Sequence, residues 1–315
     1  MSTTEYAIRP PETVTGEASA KRRRRSENRA GYLFLAPWLI GLVVITLGPM
    51  IASLYLSFTE YSLIREPVWV GLQNYIELFT ENRRFLNTIR VTAIYVAVGV
   101  PLQLMFALAL ALVLDRGVRG LSVFRAIFYL PSLLGGSVAV ALLWRQVFGR
   151  DGLFNAVLGI FGIEGQSWIG SPDTALWTLI LLLVWQFGSP MVIFLAGLRQ
   201  IPTELYEAAE VDGAGRVRKF VSITLPLLSP IIFFNIVLQM IGAFQAFTSA
   251  YVVSGGTGGP NDSTLFYTLY LYQEGFQFLR MGSASAMAWI LLVVIGAVTA
   301  VNFIASRYWV FYNDR

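Results

Sequence analysis

The chain has 315 residues, of which 56% are hydrophobic and only 13% charged, with a mean hydropathy of +0.62 and a net charge of +4. A soluble domain carries about 25% charged residues, so this composition excludes an ordinary soluble fold and spends most of the chain crossing a bilayer. The absence of Cys and His removes disulfides, thiolate and imidazole catalysis and Cys/His metal ligation, and neither Lys21 nor Lys219 lies in a G-x-x-x-x-G-K-[ST] loop that could cradle a nucleotide.

Residues 1–30 read as a disordered, basic segment. It is rich in Pro, Thr, Glu and Ser and carries Arg9, the run Lys21-Arg22-Arg23-Arg24-Arg25, and Arg29. A basic run can mark nucleic-acid binding. This one directly precedes the first apolar stretch and reads as a cytoplasmic anchor, with no nucleic-acid partner. A helix needs about 20 mostly apolar residues to cross the hydrocarbon core. Six stretches qualify: 33–58, 91–114, 124–148, 174–198, 222–250 and 283–306. The first is too long for a signal peptide and no small-residue cleavage site follows it. The expected architecture is all-α and integral to the membrane, six helices over residues 31–315.

With the N-terminus inside, sixteen Lys and Arg fall on inner segments and seven on outer ones. This asymmetry favours cytoplasmic N- and C-termini. It also places the polar block 199–226, between the fourth and fifth spans, in the cytoplasm. Pro131 with Gly135-Gly136, and Gly188-Ser189-Pro190, are the best candidates for bends beside a pathway. Helix breaks are tolerated where neighbours or a cavity satisfy the freed carbonyls; ordinary kinking is the competing reading.

Within the 199–226 block, Thr203 is suited to cap a helix and Glu204 sits where an acid favours the dipole. The helix runs through Val211 and stops at Gly213, with Leu205, Ala208 and Asp212 on one face. A second short helix is expected over 216–220, and Pro226 marks the start of the fifth span. Two turns of helix are not stable alone, so this one must pack on something, its own spans or a partner. The spacing Glu207-Ala208-Ala209, Gly213, Ile223-x-Leu225-Pro226 resembles the EAA loop of ABC importer permeases. The resemblance implies that Glu207, Ala208, Ala209, Asp212, Gly213, Ile223, Leu225 and Pro226 couple the chain to a partner ATPase.

No Asp, Glu, Lys or Arg lies deep in any expected span, which argues against a proton- or sodium-coupled carrier and against a charged cargo held by an opposite charge. Neutral polar and aromatic groups stand there instead: Ser132 and Ser137; Trp185, Gln186 and Ser189; Asn235, Gln239, Phe244, Gln245, Phe247 and Thr248. Sugars suit such a lining, and interhelical hydrogen bonding is the other use of these groups. Gly71-Leu72-Gln73-Asn74-Tyr75 with Leu78-Phe79, Ala196 to Pro202, and Gly258-Gly259-Pro260 resemble matching segments of carbohydrate permeases of the MalF/UgpA type.

That family implies the type I importer permease fold with a cytoplasmic EAA coupling helix, in a bacterial or archaeal inner membrane. It implies a pathway near Ser132, Trp185, Gln186, Gly188, Gln239, Phe244 and Gln245. The cargo would be a sugar or related polyol phosphate. The partners would be a second homologous permease, an ATP-binding dimer holding ATP and Mg2+, and a solute-binding protein over 59–90, 149–173 and 251–282. This chain would itself bind no cofactor or metal and catalyse nothing. A permease for a non-sugar solute, or a secondary carrier or channel, is the alternative.

Overall fold

The computed structural model describes residues 32–117 and 120–311. The expected basic segment 1–30 lies outside the described residues. The chain divides after Tyr55 into two units.

The first unit is built on one apolar helix, α1 (Tyr32–Ser57), with a mean hydropathy of 2.2. Its turn Leu42–Leu47 is widened to π geometry, with the Gly48 N–H reaching the Val43 carbonyl. Pro49 follows and has no N–H to offer the carbonyl four residues back, which accounts for the wider turn.

The second unit begins with a hairpin, β1 (Thr59–Ser62) and β2 (Arg65–Trp69), paired antiparallel with Glu60 opposite Val68. Thr59, Tyr61, Val68 and Trp69 are strand-prone, and Trp69 stacks on Phe58 at 5.6 Å between ring centroids. The fold is mostly helical, as expected, and this hairpin is the one strand pair among the described residues; the remaining described elements are helices. These are α2 (Gln73–Thr80), α3 (Arg83–Asp115), α4 (Leu121–Leu134), α5 (Val138–Val147), α6 (Leu153–Ile160), α7 (Pro172–Trp185) and α8 (Gly188–Leu198). They continue as α9 (Thr203–Val211), α10 (Arg216–Phe244), α11 (Thr248–Val253), α12 (Tyr267–Tyr272) and α13 (Met281–Trp309).

Four helices, α1, α3, α10 and α13, are unbroken and apolar enough to cross a membrane; the bent pairs α4–α5 and α7–α8 raise the number to six if each is one span. Three of the expected spans are therefore not single helices. The third bends by 97° between Leu134 and Val138, and the fourth by 41° at Gln186–Phe187. The fifth ends at Phe244, with α11 a separate helix. The second starts eight residues earlier than expected, because Asn82 caps it: its Oδ1 accepts from the Phe85 N–H at 2.9 Å.

α3 is the central helix, packed against α7, α8 and α10. In lipid, apolar burial does not drive helices together, and close approach of small residues does. Ala107 and Ala111 are fully buried on α3. A methyl at Gly99 would meet the Leu183 side chain, and one at Gly197 the side chains of Ile231 and Leu228. Phe85, Tyr95, Val100, Met191, Phe194 and Leu228 fill the rest of this core.

Candidate functional site: a neutral cavity at two helix breaks

The breaks at 135–137 and 186–187 lie against each other. Where α7 stops, the Gln186 carbonyl loses its helical partner. Buried in a bundle, it must be satisfied by another donor. Two side chains supply it: Ser132 Oγ from α4 donates at 2.8 Å, and Gln103 Nε2 from α3 donates at 3.0 Å. Ser132 Oγ also accepts from the Ser189 N–H at 2.8 Å, at the start of α8. One broken turn thus ties together three segments. Glycine makes the approach possible: a Cβ at Gly135 would strike the Gln186 side chain, and one at Gly188 would strike the Phe128 carbonyl and the Tyr129 backbone.

Beside this crossing lies a cavity of about 340 Å³. Its wall includes Ser132, Gln186, Gln239 and Gln245, four of the residues expected on a pathway, together with Ser189, Phe247 and Thr248. None of its lining residues is Asp, Glu, Lys or Arg. The other expected residues are placed differently. Trp185 turns away to join a small aromatic cluster, its ring 6.0 Å from that of Trp144. Gly188 serves the helix crossing, and Phe244 packs on the main core. Ser137 caps α5, accepting from the Val140 N–H at 3.3 Å. Asn235 is wholly buried away from the cavity, with no hydrogen-bond partner for its amide among the described residues. Three polar wall residues, Tyr95, Gln103 and Ser249, were not singled out by the sequence. Gln103 carried a signal, as the one amide in the apolar run 91–114.

A second region is the segment 199–226. α9 ends in a Schellman motif: the Ala214 N–H donates to the Ala209 carbonyl at 2.8 Å and the Gly213 N–H to the Glu210 carbonyl at 3.0 Å. Gly213 has φ +73°, a left-handed conformation that glycine adopts without steric cost. The expected cap at Thr203 is corrected: Pro202 precedes the first turn and no side chain caps it. Pro226 does not start a span either. α10 runs unbroken from Arg216, and its turn Phe220–Thr224 is widened ahead of Pro226, as α1 is ahead of Pro49.

No residue of α9 is buried. Glu207, Ala208, Asp212 and Gly213 are exposed, as is Leu225, whereas Ala209, Ile223 and Pro226 are half-buried. Two side-chain bonds tie α9 to α10: Tyr206 Oη with Thr224 Oγ1, and Lys219 Nζ with Glu210 Oε2, both at 2.9 Å. The Lys219 ammonium, through that hydrogen bond, holds the Glu210 carboxyl below the usual carboxylate range. Glu207 has no ion-pair partner among the described residues.

A third feature is an open cleft of about 960 Å³ between the hairpin, α2 and the start of α3. Glu60, Glu66, Glu77 and Glu81 line it with Arg65 and Arg83. At its edge Arg84 holds Asp262 in a two-pronged ion pair, 2.8 and 2.9 Å, strapping the 255–266 loop to α3.

Apolar helices long enough to cross a bilayer four to six times, with a polar cavity at the breaks of the two bent pairs, define a multi-pass membrane transport protein. Residues 80–309 match the family described as binding-protein-dependent transport system inner membrane component, and the chain belongs to that family; it is a transport subunit and not an enzyme. It is 52% identical over 306 residues to the probable ABC transporter permease protein YesP of Bacillus subtilis (strain 168), covering 96% of this chain and 99% of that one. It is 34% identical to the arabinooligosaccharides transport system permease protein AraP of the same organism, covering 88% of each. The fold matches a chain in the crystal structure of a bacterial alginate ABC transporter in complex with its alginate pentasaccharide-bound periplasmic protein. The TM-score there is 0.79 at 23% identity, over 90% of this chain and 96% of that one.

Proposed function

We propose that this chain is a permease subunit of an ATP-driven importer and passes a neutral sugar, delivered by a solute-binding protein, through the cavity beside Gln186. The observation that carries the reading is the cavity wall: amides and hydroxyls with no ionisable carboxylate, ammonium or guanidinium. An ionic cargo would be desolvated there without a counter-charge, which is costly. A sugar exchanges its hydration for hydrogen bonds to those groups. The 34% identity to an arabinooligosaccharide permease supports the same cargo class.

In this reading both bent pairs are single spans, giving six, with both termini in the cytoplasm of a bacterial or archaeal cell. The segment 199–226 then faces the ATP. α9 offers a partner ATPase the surface that it does not bury on its own chain, with Leu205 and Val211 exposed and Glu207 free to pair. ATP and Mg2+ sit on that partner. Motion imposed on α9 passes through the Tyr206–Thr224 bond into α10, which has no break before Phe244. Gln239 lies fifteen residues beyond Thr224, about 22 Å along the helix, so a shift at the loop reaches the cavity wall as a rigid displacement. The charged cleft at the hairpin faces outward and receives the solute-binding protein. A second, homologous permease completes the pathway.

The test is Glu207→Lys and Gly213→Pro in the complex assembled with its partners. Proline is confined near φ −65° and cannot hold the turn at residue 213. Both variants should insert in the membrane yet lose sugar uptake, with ATP hydrolysis no longer raised by the loaded binding protein. Normal uptake by both would refute the coupling role.

A further inference from the structure

Among the described residues, one buried polar atom of the cavity wall lacks a partner, and it belongs to Gln103. This side chain is 1% exposed on α3, and the residue lines the cavity. Its Nε2 donates to the Gln186 carbonyl at 3.0 Å. A carbonyl cannot donate, so the amide has one permitted orientation; flipping it would set two oxygens against each other. The oxygen is therefore fixed as a free acceptor, and it has no hydrogen-bond partner among the described residues.

We propose that Gln103 is a specificity-determining residue of this importer, its Oε1 being an oriented acceptor for one hydroxyl of a neutral sugar in the cavity. The inference rests on the cavity being the sugar pathway. Three observations support it. A buried amide oxygen left unpaired is destabilising, so a ligand that donates to it is favoured over one that does not. The donor is a hydroxyl and not an ammonium, because no carboxylate lines the wall to balance a positive charge. The volume of about 340 Å³ lies at the lower end of the roughly 300–1,000 Å³ of small-molecule sites, which suits a short saccharide or a segment of a longer one.

Bulk water scarcely reaches the oxygen, which is buried, and Gln186 shares that wall. The Gln186 side chain is itself held by one long hydrogen bond, Nε2 to the Leu182 carbonyl at 3.2 Å within its own helix. It is the element that yields when cargo enters. Gln103 stays in place, packed in the core and bonded across to the helix break.

The experiment is ATP-driven uptake by the whole importer in proteoliposomes, with its binding protein. The probes are radiolabelled arabinose-, glucose- and galactose-based mono- to tetrasaccharides, followed by the monodeoxy analogues of whichever sugar is taken up. The same binding protein serves every permease variant, so its own selectivity cancels when variants are compared. Wild type should reject one monodeoxy analogue by about tenfold or more, the scale of one hydrogen bond to a buried acceptor. In Gln103→Met, of similar volume and without the oxygen, that single discrimination should fall to within about twofold. The other analogues should be ranked as before; the thermal midpoint should fall somewhat, because the variant also loses the Nε2 donor to the Gln186 carbonyl, which Ser132 Oγ still satisfies. Gln103→Asn draws the oxygen back by one methylene and should lose the same discrimination, so a folding defect in the methionine variant does not end the test.

An unchanged discrimination profile in both variants would overturn the proposal and leave the oxygen to a trapped water. Uptake of amino-acid or ionic solutes by wild type, with no neutral sugar taken, would overturn the sugar reading itself and this inference with it. The two failures are told apart because the second is seen without any substitution.

Discussion

The crossing at Gln186 and the helix α9 are built on opposite plans. At the crossing every new bond is internal: Gln103 and Ser132 donate to one freed carbonyl, the Ser189 N–H donates to Ser132, and glycines at 135 and 188 let the backbones approach. α9 has no fully buried residue and half-buries only Tyr206 and Ala209 on its own chain; it shows Leu205 and Val211 to the surroundings and is tied back by two side-chain bonds. A region that satisfies itself sets geometry. A region that leaves its surface uncovered is available for contact. The contrast predicts that damage to the first is felt as lost structure, and damage to the second as lost transport by a folded protein.

The largest effect that would sharpen this contrast is Gly188→Val. Its Cβ meets backbone atoms of residues 128 and 129, which cannot move aside as a side-chain tip could. Overpacking of this kind costs typically 1–3 kcal/mol, and contact with backbone puts it at the upper end. The yield of folded protein extracted from membranes, and its thermal midpoint, should both fall sharply. A variant as stable as wild type would show that the crossing is looser than the geometry implies.

Next comes Ser132→Ala, which removes one donor from the Gln186 carbonyl and the acceptor of the Ser189 N–H. Leaving buried backbone groups short of partners costs about 1–3 kcal/mol. The thermal midpoint should drop measurably, and Ser132→Thr, which keeps the hydroxyl, should recover most of it. Equal losses in both variants would assign the effect to packing and not to the hydrogen bonds.

The smallest effect is expected in the second region. The Glu210 carboxyl is depressed by Lys219, so the pair's contribution to stability is complete above the ordinary carboxylate value. It disappears as the pH falls through the lowered one. Because Glu210 is exposed, solvent screens the pair, and Glu210→Gln should leave the thermal midpoint unmoved at neutral pH. A clear loss of folded protein there would break the contrast, since α9 would then be part of the structural frame.

The sites differ in how far the sequence disclosed them. The loop pattern from Glu207 to Pro226 is local, and the structure keeps it together as a helix, a left-handed glycine and a second helix. Its details shifted where local rules compete: Thr203 lost the cap to Pro202, and Pro226 became an interior residue because the π turn at 220–224 absorbs its missing donor. The cavity drew on residues far apart in the chain. Ser132, Gln186, Gln239 and Gln245 were legible as polar groups in apolar runs. Trp185, their neighbour in sequence, points elsewhere, since adjacent positions on a helix lie about 100° apart and no local signal says which faces the cavity.

The sequence alone determined that this is a membrane protein, roughly where its apolar segments lie, that no nucleotide-cradling loop or Cys/His metal site is present, and which loop resembles the EAA pattern. Those properties follow from composition and from spacing over a few turns of helix. Tertiary structure decided that two apolar helix pairs bend and meet at their breaks, that Gln103 and Ser132 converge on one carbonyl, and that the cavity beside them is lined by no charged residue. These depend on which helices are neighbours in space. That is set by the close approach of glycine and alanine surfaces across the bundle, a pairing written in no single stretch of the chain.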